Sequence, residues 1–407
     1  MATTDYANIS LQVEVLRKGI SCNVSYAPCA LSRDLWIYTS PFVLLLGTIG
    51  NILIIILMSA KKLRKTSFGL YLIAIACMDL IFIWVGLTRH FIKNAFNEDI
   101  RYLHVTICWL QRFFVYGSSD ASVWLLTAVT IERTIAIYSP TRYMKVNTLF
   151  KTKIYIGIII FIQFTWNAHL FFTRGTVQYE LDGRLVEDRC GYANEKAKIY
   201  YENNIQTLLA MLDYSMIPFV AMLGMNIAIF VRLHKRDKMY NKCTSVHNKT
   251  VAATKQHKTK SSHVSSKTLM LLPVTMFFLV TTLPHLVFTG IEQAKKTEDL
   301  ERAKMELADY FVSLLGYLNH SLNFFLYCLT GKMLRTRCRK LLTRCCSSKE
   351  NDSYIDHTYN KTPTMKIRTI SDGAITAQGF SRLSPNTSLQ RSTLASYKQS
   401  SASRAKS

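Results

Sequence analysis

Five polar side chains stand in stretches that are otherwise Leu, Ile, Val and Phe: Asn51, Asp79, Ser122, Asn319 and Asn323. The last two belong to Asn319-His-Ser-Leu-Asn323-Phe-Phe-Leu-Tyr327-Cys328. Amides, hydroxyls and carboxylates removed from water are costly unless they find partners. An ionised Asp at the centre of an apolar crossing costs about 2.5–3.5 kcal/mol on insertion scales. A lone buried Asp79 would take up a proton. With hydroxyl and amide neighbours it can instead hold a cation, sodium being the candidate, or a network of waters. No other cofactor is expected.

A second charged constellation, Thr130-Ile-Glu132-Arg133-Thr134, closes an apolar segment that Cys108 opens. At 1.5 Å per helical residue the path from Cys108 to Arg133 is roughly 37 Å, long enough to cross a bilayer. A third group collects cations and aromatics: Arg89, His90, Arg112 and Tyr116 beside Val115, then His285, Phe288, Tyr310, Ser313 and Tyr317. Such a set suits an extended ligand with a carbonyl-rich or acidic end. Arg89 and Arg112 equally suit snorkelling to lipid headgroups. Asp120 and Asp213 are candidates to pair with an Arg among them. Metal-ligand spacing, a phosphate loop and a nucleophile elbow are all absent from the sequence, so no enzyme is expected.

The elements that must position these groups are seven apolar runs, at about 36–60, 68–93, 105–138, 149–174, 201–233, 267–291 and 307–330, each near the length that crosses hydrocarbon. The chain has 407 residues, 49% of them hydrophobic, and a formal net charge of +24. Its basic residues fall between particular runs, which argues against nucleic-acid binding and for a polytopic membrane protein. Lys61, Lys62, Arg64 and Lys65 follow run one; Arg142, Lys145, Lys151 and Lys153 follow run three; Lys235 through Lys260 follow run five. Acids such as Glu98, Asp99, Asp188 and Glu301 lie in the alternate links. The positive-inside tendency therefore predicts an extracellular N-terminus and a cytoplasmic C-terminus. Residues 1–30 lack an apolar h-region, so run one is expected to direct insertion itself.

Four regions are expected: an extracellular segment over 1–35, the membrane domain over 36–330, an amphipathic helix on the inner leaflet over 331–343, and a disordered cytoplasmic tail over 344–407. Asn8 and Asn23 are glycosylation candidates in the outer segment. A bridge between Cys108 and Cys190 would pin the fourth link over the bundle; Cys22 and Cys29 also lie outside, either paired with each other or unpaired. Cys338, Cys345 and Cys346 are palmitoylation candidates beside the amphipathic helix. Cys77 and Cys328 read as packing residues.

Gly50-Asn51, Asp79, Cys108 with Cys190, Glu132-Arg133-Thr134, Pro218, Pro284 and Asn323-Phe-Phe-Leu-Tyr327 fall in an order and spacing that resembles the rhodopsin-like (class A) G-protein-coupled receptors. The resemblance covers about 36–343 and implies an all-α, seven-transmembrane helix bundle with a short eighth helix. It also implies an inner activation face carrying Glu132, Arg133, Asn323 and Tyr327. Several motifs depart from the family pattern. Asp-Arg-Tyr is Glu132-Arg133-Thr134, Asn-Pro is Asn323-Phe324, and Cys-Trp-x-Pro is Thr281-Thr282-Leu283-Pro284. Asn226 replaces a helix-five tyrosine, and no acid near Val264 can lock Arg133 to helix six.

Val115 stands where amine receptors carry an Asp, and Tyr317 where opsins carry the retinal lysine. The texture of helices five to seven is similar to invertebrate neuropeptide receptors of the FMRFamide-receptor-like group. The resemblance implies a plasma-membrane receptor for an extracellular peptide. Ligand binding would shift the bundle toward a state that opens an inner cleft to a heterotrimeric G protein, with arrestin and receptor kinases engaging the tail near Ser347, Ser348 and Ser353. The alternatives are a receptor for a lipid or other small molecule, a ligand-independent receptor, and a secondary transporter, which would carry internal repeats.

Overall fold

The computed structural model describes residues 26–250, 266–294 and 299–346, apart from 62, 142, 144–147, 182–183 and 203–204. Asn8, Asn23, Cys22 and the tail beyond 346 lie outside the described residues. The backbone at Cys345 and Cys346 is helical, whereas their side chains lie outside the described set.

Seven helical crossings follow one another. Helix α1 spans Ala27–Ser59, α2 Ser67–Phe96, α3 Val105–Tyr138 and α4 Leu149–Asn167. The fifth crossing runs from a short helix at Ile205–Ala210 through a π-turn at Met211–Met216 into α5, Ile217–Thr250. Helix α6 spans Ser266–Ala294. The seventh crossing comprises α7, Asp299–Ser321, and α8, Asn323–Thr330, and a further helix α9 covers Lys332–Cys346. Five crossings are long and apolar enough to be recognised as membrane spans from composition alone, and Leu271–His285 is a shorter apolar stretch in α6. The first turns of α7 carry Asp299, Glu301, Arg302, Lys304, Glu306 and Asp309, which dilute its apolar character.

The helix ends have local causes. The Thr66 hydroxyl accepts the Gly69 N–H to start α2, and His104 accepts the Thr106 N–H to start α3. Asn97, at φ 56°, closes α2 in the left-handed region that Asn tolerates better than most residues. Helix α1 begins at Ala27, ahead of the apolar run, because Pro28 can occupy a helix's first turn, where its missing N–H costs nothing. The seventh crossing breaks at Leu322 although no proline follows Asn323.

Helix α1 packs on α2 and α7, α2 on α3, α3 on α4 and α5, and α6 on α7 and α8. One apolar core gathers Met58, Leu72, Ile75, Leu125, Met222, Phe278, Phe324 and Tyr327, and it also takes in Leu334 of α9. A second core joins Trp36, Phe82, Leu87, Tyr310 and Tyr317. Large apolar side chains such as Phe42, Phe161, Phe230 and Val280 face outward, as a surface solvated by lipid requires.

The fourth link is a β-hairpin, which the apolar pattern did not announce. Strand β1, Arg174–Leu181, pairs antiparallel with β2, Arg184–Tyr192. Cys190 of β2 is bonded to Cys108 of α3, as expected. The bridge closes a loop of 82 residues, for which chain entropy gives about 4–5 kcal/mol. Trp109 Nε1 donates to the Arg174 carbonyl at 2.7 Å, and Arg189 Nη1 donates to the Leu103 carbonyl at 2.8 Å. The hairpin is thus fastened at two points to the start of α3 and at a third to the link just before it. Cys29 is also disulfide-bonded, while Cys77, Cys328 and Cys338 are free thiols.

Candidate functional site

The polar groups within the spans sort into three networks. The first surrounds Asp79, which is inaccessible to solvent. Its Oδ1 accepts from Ser122 Oγ at 2.5 Å and faces His320 Nδ1 at 2.6 Å; its Oδ2 accepts from Asn323 Nδ2 at 2.8 Å. Helices α2, α3, α7 and α8 therefore meet on one carboxylate. Two of the expected neighbours are placed differently. Asn51 turns its amide to the carbonyls of Gly47 and His320, at 3.0 and 3.1 Å. Asn319 is buried but makes no hydrogen bond to Asp79. His320 supplies the contact that sequence reading missed. A histidine next to Asn319 in an apolar run is a visible signal, since a buried imidazole needs a partner. Nitrogen atoms of His320 and Asn323, rather than oxygens, face the carboxylate that was expected to hold a sodium ion.

The second network lies at the end of α3 that carries Arg133. Arg133 is buried and forms an ion pair with Glu132. Its Nη2 also donates to the Tyr143 hydroxyl at 2.8 Å, and that hydroxyl donates to Glu132 Oε1 at 3.0 Å. Glu132 Oε2 accepts from Ser67 Oγ at 2.7 Å. The guanidinium lies over the rings of Phe68 and Tyr143, 5.6 and 5.4 Å from their centroids. Burial raises the Tyr143 hydroxyl above its ordinary value despite the pull of Arg133, with Glu132 adding to the rise, so the hydroxyl stays a donor. Tyr327 is buried in the neighbouring core, and its hydroxyl has no hydrogen-bond partner among the described residues. Asn226, expected to be a lost tyrosine, instead clasps α6: its Nδ2 lies 2.9 Å from Thr275 Oγ1, which lies 3.1 Å from Asn226 Oδ1.

The third network lies at the Cys108 end of the bundle. Arg89 and Arg101 both close on the buried carboxylate of Asp99, at 2.6 and 2.7 Å. Burial alone would raise the Asp99 carboxyl, but the two guanidinium groups outweigh it and hold the group well below the usual carboxylate range. Arg112 has no acidic partner among the described residues; its Nε is buried without a hydrogen bond, within electrostatic reach of Arg101, Tyr116, Arg174 and Arg89. Arg174 stacks over Tyr192 and Tyr201. His90 stacks on Trp36 at 4.0 Å, and Tyr317 on Phe82 at 4.9 Å. Tyr310 meets Trp36 edge-on and places its hydroxyl 3.2 Å from Thr39 Oγ1. Val115 packs at the edge of the same aromatic core, which makes Trp36 its unanticipated centre.

Of the remaining expected residues, His285 faces Tyr214 edge-on, Ser313 donates to Asp309 at 3.4 Å, Phe288 is half-buried and Tyr116 is exposed. Asp120 and Asp213 do not pair with an arginine. Asp120 accepts from Asn167 at 2.8 Å, and Asp213 accepts from Trp124 Nε1 at 3.0 Å. Neutral donors on α3 and α4 satisfy them instead.

The sequence model of the family "7 transmembrane receptor (rhodopsin family)" matches residues 50–327. The chain belongs to that family, so it is a membrane-spanning signalling receptor of rhodopsin-like type and not an enzyme. Among curated proteins it is 24% identical over 345 residues to the type-1 angiotensin II receptor of Gallus gallus, covering 80% of this chain and 85% of that one. It is 22% identical over 298 residues to the FMRFamide receptor of Drosophila melanogaster, covering 71% of this chain and 50% of that one. It is 25% identical over 317 residues to the thyrotropin-releasing hormone receptor of Gallus gallus, with 73% and 75% covered.

Proposed function

We propose that this receptor sits in the plasma membrane with its N-terminus outside, binds an extracellular peptide, and promotes nucleotide exchange on a heterotrimeric G protein. The observation that carries the ligand class is the surplus of guanidinium groups around Arg112. Of Arg89, Arg101, Arg112 and Arg174, only the first two have a carboxylate partner among the described residues, and they share it. An unpaired buried cation is costly, and a peptide carboxylate or a run of peptide carbonyls relieves that cost on binding. The relatives named for angiotensin II, FMRFamide and thyrotropin-releasing hormone support the same class.

At the opposite end, Arg133 is the group that meets the G protein once it leaves Glu132 and Tyr143. Helix α9 lies along the inner leaflet with Leu334 docked in the core, and Cys338, Cys345 and Cys346 are its acylation sites. Asn8 and Asn23 carry glycans on the outer segment 1–35, and the tail over 344–407 receives receptor kinases and arrestin.

The test is a panel of neuropeptides against a panel of lipids on transfected cells, read as calcium and cyclic AMP. A peptide response that Arg112→Gln weakens at least tenfold, at equal surface expression, supports the reading. A response confined to lipids refutes the ligand class. Arg133→Ala is expected to abolish nucleotide exchange while leaving surface labelling intact; unchanged exchange would refute the coupling role.

A further inference from the structure

The residues around Asp79 are arranged to satisfy an anion from within the protein. A carboxylate offers about four lone-pair positions, and three are engaged by Ser122, His320 and Asn323. Two of these partners present nitrogen. The Nδ1 of His320 lies 2.6 Å from Asp79 Oδ1, so a proton lies between them whichever of the two holds it. A metal cation approaching Oδ1 would have to displace that proton and the ring behind it. The ring cannot simply swing aside, because His320 is 1% exposed and stacks in a tilted contact on Phe82 at 4.5 Å.

The amide groups beside the carboxylate are oriented by their nitrogens. Asn51 Nδ2 donates to the backbone carbonyls of Gly47 and His320, leaving its Oδ1 buried without a hydrogen bond, and the Asn323 side chain points its nitrogen, not its oxygen, at the carboxylate. The same histidine ties three crossings together: its ring reaches α2, its carbonyl holds Asn51 of α1, and its backbone is the penultimate residue of α7.

We infer that His320 is the resident counter-group of Asp79, taking the place of a metal ion, and that this bundle binds no sodium at Asp79. His320 is a positioning residue: it holds Asp79 and the end of α7 in register by a hydrogen bond that needs no dissolved ion.

The inference is tested with full-length receptor in detergent micelles, unfolded by heat in sodium chloride and in choline chloride of equal ionic strength. Wild type and Asp79→Asn are expected to respond alike to the exchange of salts. His320→Ser, which replaces the ring with an oxygen and opens space beside the carboxylate, is expected to gain a sodium-selective rise of about 2–4 °C in unfolding midpoint. That gain should vanish in the double variant His320→Ser/Asp79→Asn, an outcome that simple loosening of the bundle would not produce. Should His320→Ser not fold, the comparison of wild type with Asp79→Asn decides alone. A sodium-selective rise in wild type that Asp79→Asn abolishes overturns the inference; its absence upholds it.

Discussion

Asp99 receives two guanidinium groups at once, Arg89 Nη2 at 2.6 Å and Arg101 Nη2 at 2.7 Å, and none of its side chain is accessible to solvent. One carboxylate thus fastens the link after α2 to α2 itself. Asp99→Asn leaves two buried cations facing a neutral amide, and breaking a buried pair this way costs about 3–5 kcal/mol. The receptor should lose thermal stability and surface abundance, measured by melting in micelles and by antibody labelling of intact cells.

The sign of the pH dependence follows from the depressed carboxyl of Asp99. Its contribution is fully present above the unfolded value of about 4 and is lost only as pH falls through the lower folded value. The difference in melting temperature between wild type and Asp99→Asn should therefore stay constant from pH 8 to pH 5 and shrink only in stronger acid. A gap that closes already near pH 6 would contradict the clamp.

Asn226 and Thr275 join α5 to α6 by a reciprocal pair of contacts at 2.9 and 3.1 Å. If activation separates these helices, Thr275→Val removes about 1 kcal/mol from the closed state. Basal nucleotide exchange should rise roughly fivefold, read as GTP-analogue loading in membranes without ligand. Unchanged basal loading would place this contact outside the switch.

Tyr143 touches both members of the Glu132–Arg133 pair through one hydroxyl. Tyr143→Phe keeps the ring under the guanidinium and removes both hydrogen bonds, so it too should raise basal exchange severalfold without lowering expression. Tyr143→Ala, which also deletes the ring contact, should raise it further.

Gly86 faces Tyr317 so closely that a Cβ there would overlap the Tyr317 hydroxyl and ring. Gly86→Ala should cost about 1–3 kcal/mol by overpacking, seen as a lower melting temperature. Adding Tyr317→Ala should recover part of the loss.

The seven crossings and the Cys108–Cys190 bridge were legible in the sequence because hydropathy and cysteine placement are one-dimensional signals. The departures from familiar motifs were equally plain, but what replaced them was not. Nothing local says that Asn226 meets Thr275, that Arg89 is held by Asp99, or that Asp120 is satisfied by Asn167, since each pairing joins residues distant in the chain or across a turn. The hairpin of the fourth link gave no apolar signal because its strands carry Arg174, Glu180, Arg184, Glu187, Asp188 and Arg189 among few apolar residues. His320 stood in full view beside Asn319, yet only the direction in which the seventh crossing turns brings its ring, rather than the Asn319 amide, to Asp79.

The interruption at Leu322 divides the seventh crossing into two rods that share a joint. Asp79 grips the crossing on both sides of that joint, through His320 before it and Asn323 after it. The joint is therefore a fulcrum fixed to the second crossing. The rod that carries Tyr310 and Tyr317 and the rod that carries Tyr327 are thus pinned to the same carboxylate, one on each side of the joint.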